Sequence, residues 1–318
     1  MRVAASIIHG AYGDCYEQLI CLKALARARP GWKLRLYFAS PSRLAQFSYL
    51  DLGFAEGLYP VEALEHHDRE VAAFWQFQVR DPELNSQVLP RLPQRLRRML
   101  EDYPQLLPWR MLRRMLPLKP GEQLKLNEKG RAALRLMRRA YGLEGLRGPT
   151  IGFLWRYRRP GGFIRPLVIR PQHYFRRRYS RVLTRVVQAT GAHVIVCGMN
   201  PYRTSQDPAV TDNKFPGFGL VLPRGKCTYL AGLNWVVELE ILAQCTLCAA
   251  NASGFSEGLW IRRGGGVVLL DPPAMYLARL VRHRMPMFGA PGVAGMSRMV
   301  LERTEAQLEA RLISQLLN

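Results

Sequence analysis

The sequence predicts an α/β chain of two Rossmann-like halves facing a cleft. Three observations carry this. Apolar strand-like runs alternate with helical patterns on both sides of residue 148. The first such run ends in a glycine-rich turn that opens a helix. And 318 residues with 48% hydrophobic content suffice for two packed cores.

The first half begins with RVAASII over residues 2–8, an apolar strand. It runs into the turn His9-Gly10-Ala11-Tyr12-Gly13-Asp14. The stretch CYEQLICLKALARARP then sets Leu19, Ile20, Leu22, Leu25 and Ala26 at helical spacing and stops at Pro30-Gly31. KLRLYFAS follows as a second strand, closing a βαβ unit. Residues 41–49 open another helix, and FAEGLYPV holds a short strand. From about 91 to 140 the chain changes character. Eleven Arg and three Lys face four acids, and prolines at 93, 104, 108, 117 and 120 break it into short helices. This predicts a basic helical insert. The domain boundary is placed in GLEGLRGP, giving domains 1–148 and 149–318.

In the second half TIGFLWRY is a strand, followed by the basic loop RRPGGFIRP. A helix over 174–189, the strand HVIVCGM, the helix LAGLNWVVELEILAQC and the strand TLCAAN come next. SGFSEGLWIRR is a loop and helix, GGVVLLDPP a strand, and ERTEAQLEARLISQLL an amphipathic helix. The alternation predicts a second parallel sheet.

The net charge of +22 favours an anionic partner: nucleic acid, an acidic membrane surface or a phosphorylated substrate. An arginine-biased genome would inflate it equally. The six cysteines are scattered in apolar contexts and read as reduced core thiols of a cytoplasmic protein. Cys245 and Cys248 form a lone CxxC without a second pair, and the histidines lack ligand spacing, so no metal is assigned. No run of 18 or more apolar residues predicts a membrane span, and the N-terminus does not read as a signal peptide.

Four features carry candidate chemistry. At the end of the first strand, Gly10 and Gly13 let a ligand approach the backbone beside His9. The helix start there favours an anion. Asp14 is either a general base for an acceptor hydroxyl or a helix cap. Arg156, Arg158 and Arg159 follow the strand TIGFLW, where arginine forks suit a diphosphate. Ten arginines and no acid lie between Arg156 and Arg185, those from 176 to 185 reading as a solvated helix face. Ser253, Gly254 and Ser256 open a helix and form an anion site. Glu257 either accepts a ribose or sugar hydroxyl or complements the helix dipole. Finally, PWRMLRRMLP over 108–117 alternates apolar residues with arginine, as on a helix lying on an anionic membrane or packed on a core.

Taken together, these segments resemble GT-B glycosyltransferases, especially the heptosyltransferase-like families. Lys226, Glu238, Ser253, Gly254 and Asp271-Pro272 fall in the order of that group's donor-binding region, and GAYGD resembles its GD turn. TIGFLWR with its basic loop also resembles the arginine-rich phosphate motif of some fucosyltransferases. The resemblance spans about two thirds of the chain. It departs where the group's Asn/Asp-Ser-Gly-Pro-x-His loop reads Asn251-Ala252-Ser253-Gly254-Phe255-Ser256, without the His. The basic 91–140 stretch has no clear counterpart. The resemblance implies a GT-B-like fold and hexosyl or heptosyl transfer, as in polysaccharide assembly. The donor would be a nucleotide sugar, bound as substrate with no cofactor. The acceptor would be an anionic glycan or lipid-linked hydroxyl. Asp14 would be the base, Arg156, Arg158 and Lys226 would hold the diphosphate, and Glu238 or Glu257 the ribose or sugar. Basic groups and helix dipoles would replace a metal at the leaving diphosphate. The implied location is cytoplasmic, with peripheral contact at the inner membrane face. A basic nucleic-acid-binding protein and a sugar-nucleotide epimerase on the same double-Rossmann plan stay open as alternatives.

Overall fold

A computed structural model describes residues 2–10, 12–77, 84–102, 124–155, 176–197, 221–230, 234–250, 254–263, 266–270, 300–301 and 304–318. The chain divides into two compact units. One is Met1–Glu128 with Gly292–Gly295, the other Lys129–Pro291 with Met296–Asn318.

In the first unit β1 (Arg2–Ile8) leads into α1 (Tyr12–Ala28), β2 (Trp32–Phe38), α2 (Pro41–Phe47), β3 (Gly57–Pro60), β4 (Val71–Phe74) and α3 (Gln94–Glu101). The strands form one parallel sheet in the order β3-β2-β1-β4. Six of the seven β1 residues are buried, because helices or helical turns cover both faces of a parallel sheet. One face packs Ala5, Ile7, Tyr37 and Phe74 against Leu84, Val88, Leu96 and Leu100. Leu96 and Leu100 stand four apart on α3, one stripe of that helix. The start of the expected basic insert is thus part of this unit's core.

The second unit contains α4 (Glu128–Ala140), β5 (Thr150–Leu154), α5 (Arg176–Thr190), β6 (His193–Cys197), β7 (Cys227–Tyr229), α6 (Trp235–Ala243), β8 (Leu247–Ala250), α7 (Gly254–Arg263), β9 (Val267–Leu269), β10 (Val300–Leu301) and α8 (Glu305–Leu317). Its strands are also all parallel, in the order β10-β9-β8-β5-β6-β7. Counted from β5 this is 3-2-1-4-5-6, a doubly wound order. Thr304 and Gln307 cap α8 reciprocally, at 3.1 Å each way. Leu308, Leu312 and Leu316 then bury one stripe against the sheet, at about 2 kcal/mol per leucine before ordering costs. Arg181 of α5 grips Glu305 of α8 with two hydrogen bonds of 2.6 and 3.2 Å.

The division between units falls at 128/129, ahead of residue 148. Residues 124–127 belong to the first unit by their bonds: Asp51 N donates to Lys125 O at 2.8 Å, and Asn127 N to Tyr49 O at 3.0 Å. Helix α4 turns to the second unit, where Arg138 donates to Gln244 Oε1 at 2.8 Å. The 91–140 stretch is therefore shared between the two units.

Candidate functional site

In open parallel sheets ligands bind beyond the carboxyl ends of the strands, where strand order reverses. In the first unit that point lies between β1 and β4, and the side chain of Gln76 stitches it. Gln76 Oε1 accepts from Ile7 N at 2.8 Å, and Nε2 donates to Ile7 O at 2.8 Å and Phe77 O at 3.2 Å. The side-chain amide thus stands in for a peptide rung beyond the register shift at Val3/Ala4. Sequence reasoning missed Gln76, since a glutamine after a four-residue strand carries no signal of its own.

His9 is fully buried, with Nε2 2.9 Å from Phe77 O. Its carbonyl accepts from Gln18 Nε2 at 2.8 Å. The ring therefore positions the strand end and is not offered to an acceptor, a correction to its acceptor-side assignment. Gly10 has φ of +91°, and a Cβ there would stand 3.1 Å from Asp14 Cβ and 3.2 Å from Asp14 Oδ2. Glycine is required both by the left-handed backbone and by the closeness of the carboxylate. Gly13 is buried in the first turn of α1. Asp14 is the third residue of that helix, so the N-cap position lies ahead of it. Its half-buried carboxylate complements the helix dipole from inside the first turn.

In the second unit order reverses between β5 and β8. Trp155, fully buried, follows β5 directly and donates its backbone N–H to Cys197 O at 2.9 Å. Arg156 follows it in the chain. Arg156, Arg158, Arg159 and Ser253 lie outside the described residues, as does 108–117. Gly254 is the first residue of α7, and Ser256 and Glu257 lie in its first turn, just beyond β8. Ser256 is fully buried, so its hydroxyl faces the protein interior. Gly258 lets α7 close on α6, since a Cβ would meet Trp235 Cη2 at 3.1 Å. Asn234 caps α6 by accepting from Val236 N at 2.9 Å. One turn on, Glu238 is buried beside Cys197, the last residue of β6. Burial first, and then the Glu238 carboxylate, push the Cys197 thiol well up. Glu238 thus stands at the carboxyl edge of the sheet, one strand from the reversal.

Lys226 does not. Its carbonyl accepts from Val194 N at 2.9 Å, and its Nζ donates to Gly191 O at 3.0 Å, ahead of β6. It lies at the amino edge of the sheet. There its charge, after burial, helps hold His193 below the usual histidine range. The structure brings Glu238 and the α7 start to the carboxyl edge and leaves Lys226 at the far one, which removes Lys226 from the diphosphate set.

Among the described residues no group of three or more His, Cys, Asp or Glu could hold a metal. All six cysteines are free, and five are buried. Cys248 Sγ lies 2.9 Å from Leu242 O and 3.2 Å from Arg263 Nη1. No described helix is long and apolar enough to cross a membrane.

No protein-family model matches the sequence, and no curated protein matches it significantly. Among solved structures, the chain is similar to ADP-heptose lps heptosyltransferase II of E. coli at a TM-score of 0.53 and 15% identity. That match covers 100% of this chain and 99% of that one. The E. coli heptosyltransferase WaaC with ADP aligns at a TM-score of 0.41 and 13% identity, over 98% of this chain and 96% of that one. A sialyltransferase from Photobacterium damsela aligns at 0.39 and 9%, over 94% and 82%. The last two are too distant to carry an argument. The first, spanning both chains almost end to end, shows that this chain has the GT-B-like fold of two Rossmann-like domains.

Proposed function

We propose that this chain is a glycosyltransferase that moves a hexosyl or heptosyl unit from a nucleotide-activated donor to a hydroxyl of an anionic glycan or lipid-linked acceptor. The observation that supports it most is the 3-2-1-4-5-6 strand order of the second unit, with buried Glu238 and the α7 start at its carboxyl edge. Glu238 or Glu257 would accept bonds from ribose or sugar hydroxyls. Gly254 and the amides of the α7 start would face the diphosphate together with Arg156, Arg158, Arg159 and Ser253. Transfer breaks the bond from the anomeric carbon to the diphosphate oxygen and forms one to the acceptor oxygen, whose proton goes to Asp14. Arginines and the helix dipole would then stabilise the departing diphosphate without a metal.

Asp14→Asn tests the base. Asparagine keeps the size and loses the proton acceptance, so single-turnover transfer should fall by about 10² to 10⁴ with donor affinity retained. A stable Asp14→Asn protein with near-normal turnover would return Asp14 to a purely helix-stabilising role.

A further inference from the structure

The outward face of α4 is not explained by the transfer chemistry. Only Gly130 of this helix is buried, and Ala133, Leu134, Met137 and Arg138 turn toward the protein. The rest is solvent-facing. Arg131, Arg135 and Arg139, spaced four apart, line one exposed strip. Ala132, Leu136 and Ala140, also four apart, line the adjacent exposed strip. Leu136 is 69% exposed, among the most exposed large apolar residues described. Lys129 at the helix start is exposed as well, as is Arg147 seven residues past its end, while Glu128 and Glu144 are the acids of this stretch.

From this juxtaposition of an arginine strip and an apolar strip on one exposed helix face, we infer that α4 docks on an anionic phospholipid surface. The charge complementarity is direct, since cations next to an anionic leaflet are attracted to it. The apolar strip decides between anionic partners. A nucleic-acid backbone uses the arginines and has no use for an exposed leucine. A bilayer takes Leu136 between its headgroups while the arginine stems lie along the interface with their heads in water. The inference stands independently of the sugar-transfer reading and holds even if the chain transfers no sugar.

The test is co-sedimentation of the full chain with vesicles of phosphatidylcholine alone and with phosphatidylglycerol added. Binding should require phosphatidylglycerol. The triple variant Arg131→Gln, Arg135→Gln, Arg139→Gln should bind about a hundredfold more weakly, roughly five-fold per arginine. Leu136→Ser, which leaves charge untouched, should weaken vesicle binding by about ten-fold and leave the melting temperature unchanged. Equal vesicle binding by wild type and triple variant would overturn the inference, as would Leu136→Ser without effect. Duplex DNA bound more tightly than the anionic vesicles, and lost with the three arginines, would overturn it in favour of a nucleic-acid face.

Discussion

Replacing Gly10 by alanine probes the turn that joins β1 to α1. Two costs add. A φ of +91° is strained for any residue with a Cβ, at about 1–2 kcal/mol. The new methyl also sits 3.1 Å from Asp14 Cβ and 3.2 Å from Oδ2, tighter than ordinary van der Waals contact. Because Asp14 is held in the first turn of α1, it can yield only by a side-chain or helix shift, about another 1–2 kcal/mol. The sum is about 2–4 kcal/mol. Gly142 provides the comparison. Its φ is +65°, and a Cβ there meets nothing within 4 Å, so Gly142→Ala should cost only about 1 kcal/mol. Urea unfolding followed in each unit by its own tryptophans would separate them. The Gly10→Ala midpoint should drop by about 1 M or more, and Gly142→Ala by well under that. Equal costs for the two substitutions would show that Gly10 does not press on Asp14, and the geometry proposed for the base would lose its support.

Further outcomes follow from the second unit. Gly152→Ala in β5 would place a Cβ 3.0 Å from both Cys245 Sγ and the Leu242 carbonyl oxygen. It should therefore lower stability by about 1–3 kcal/mol, measured by thermal or urea unfolding; an unchanged midpoint would mean α6 does not pack this closely on the central strand. Hydrogen bonding from Arg181 holds the Glu305 carboxyl below the usual range. A depressed carboxyl contributes stability that is present above its unfolded pKa and lost as pH falls through the folded one. The pair should thus add to the hold of α8 on α5 at neutral pH and loosen that helix start on acidification below the ordinary carboxylate range, while Leu308, Leu312 and Leu316 keep α8 on the sheet. Hydrogen exchange of α8 against pH reads this, and Glu305→Gln should reduce the pH dependence, leaving the part carried by the Arg185–Glu309 contact at 2.8 Å and the neutral-pH capping by Thr304 intact.

Most long elements were legible because their periodicity is local. RVAASII, KLRLYFAS, TIGFLW and HVIVC are apolar runs that pair in parallel as expected. The leucines of the tail recur at helical spacing and bury one stripe. Two short strands, unlike β3, β8 and β9, were not legible. β4 has four residues and β7 three, and both exist through their neighbours, β1 and β6. That omission had a consequence for the site. The order of motifs in the resemblance alone set Lys226 with the diphosphate residues. Once Cys227–Tyr229 is a parallel strand, the residue before it must lie at the amino edge. His9 misled for a related reason. A polar residue after a first strand looks exposed in sequence, whereas the carbonyl it satisfies belongs to Phe77, far along the chain. Glu238 was singled out by chain order alone, and its place beside Cys197 follows from burial that the sequence does not show.

The central claim, a donor nucleotide held at the carboxyl edge of the second sheet, is tested most directly by titration calorimetry with a panel of nucleoside diphosphates. The wild-type chain should bind at least one of them. Arg156→Ala, altering the residue two positions past the end of β5, should weaken that binding by about 1–3 kcal/mol, and Lys226→Ala should leave it unchanged. Binding of none, or a loss at Lys226 as large as that at Arg156, would contradict the account.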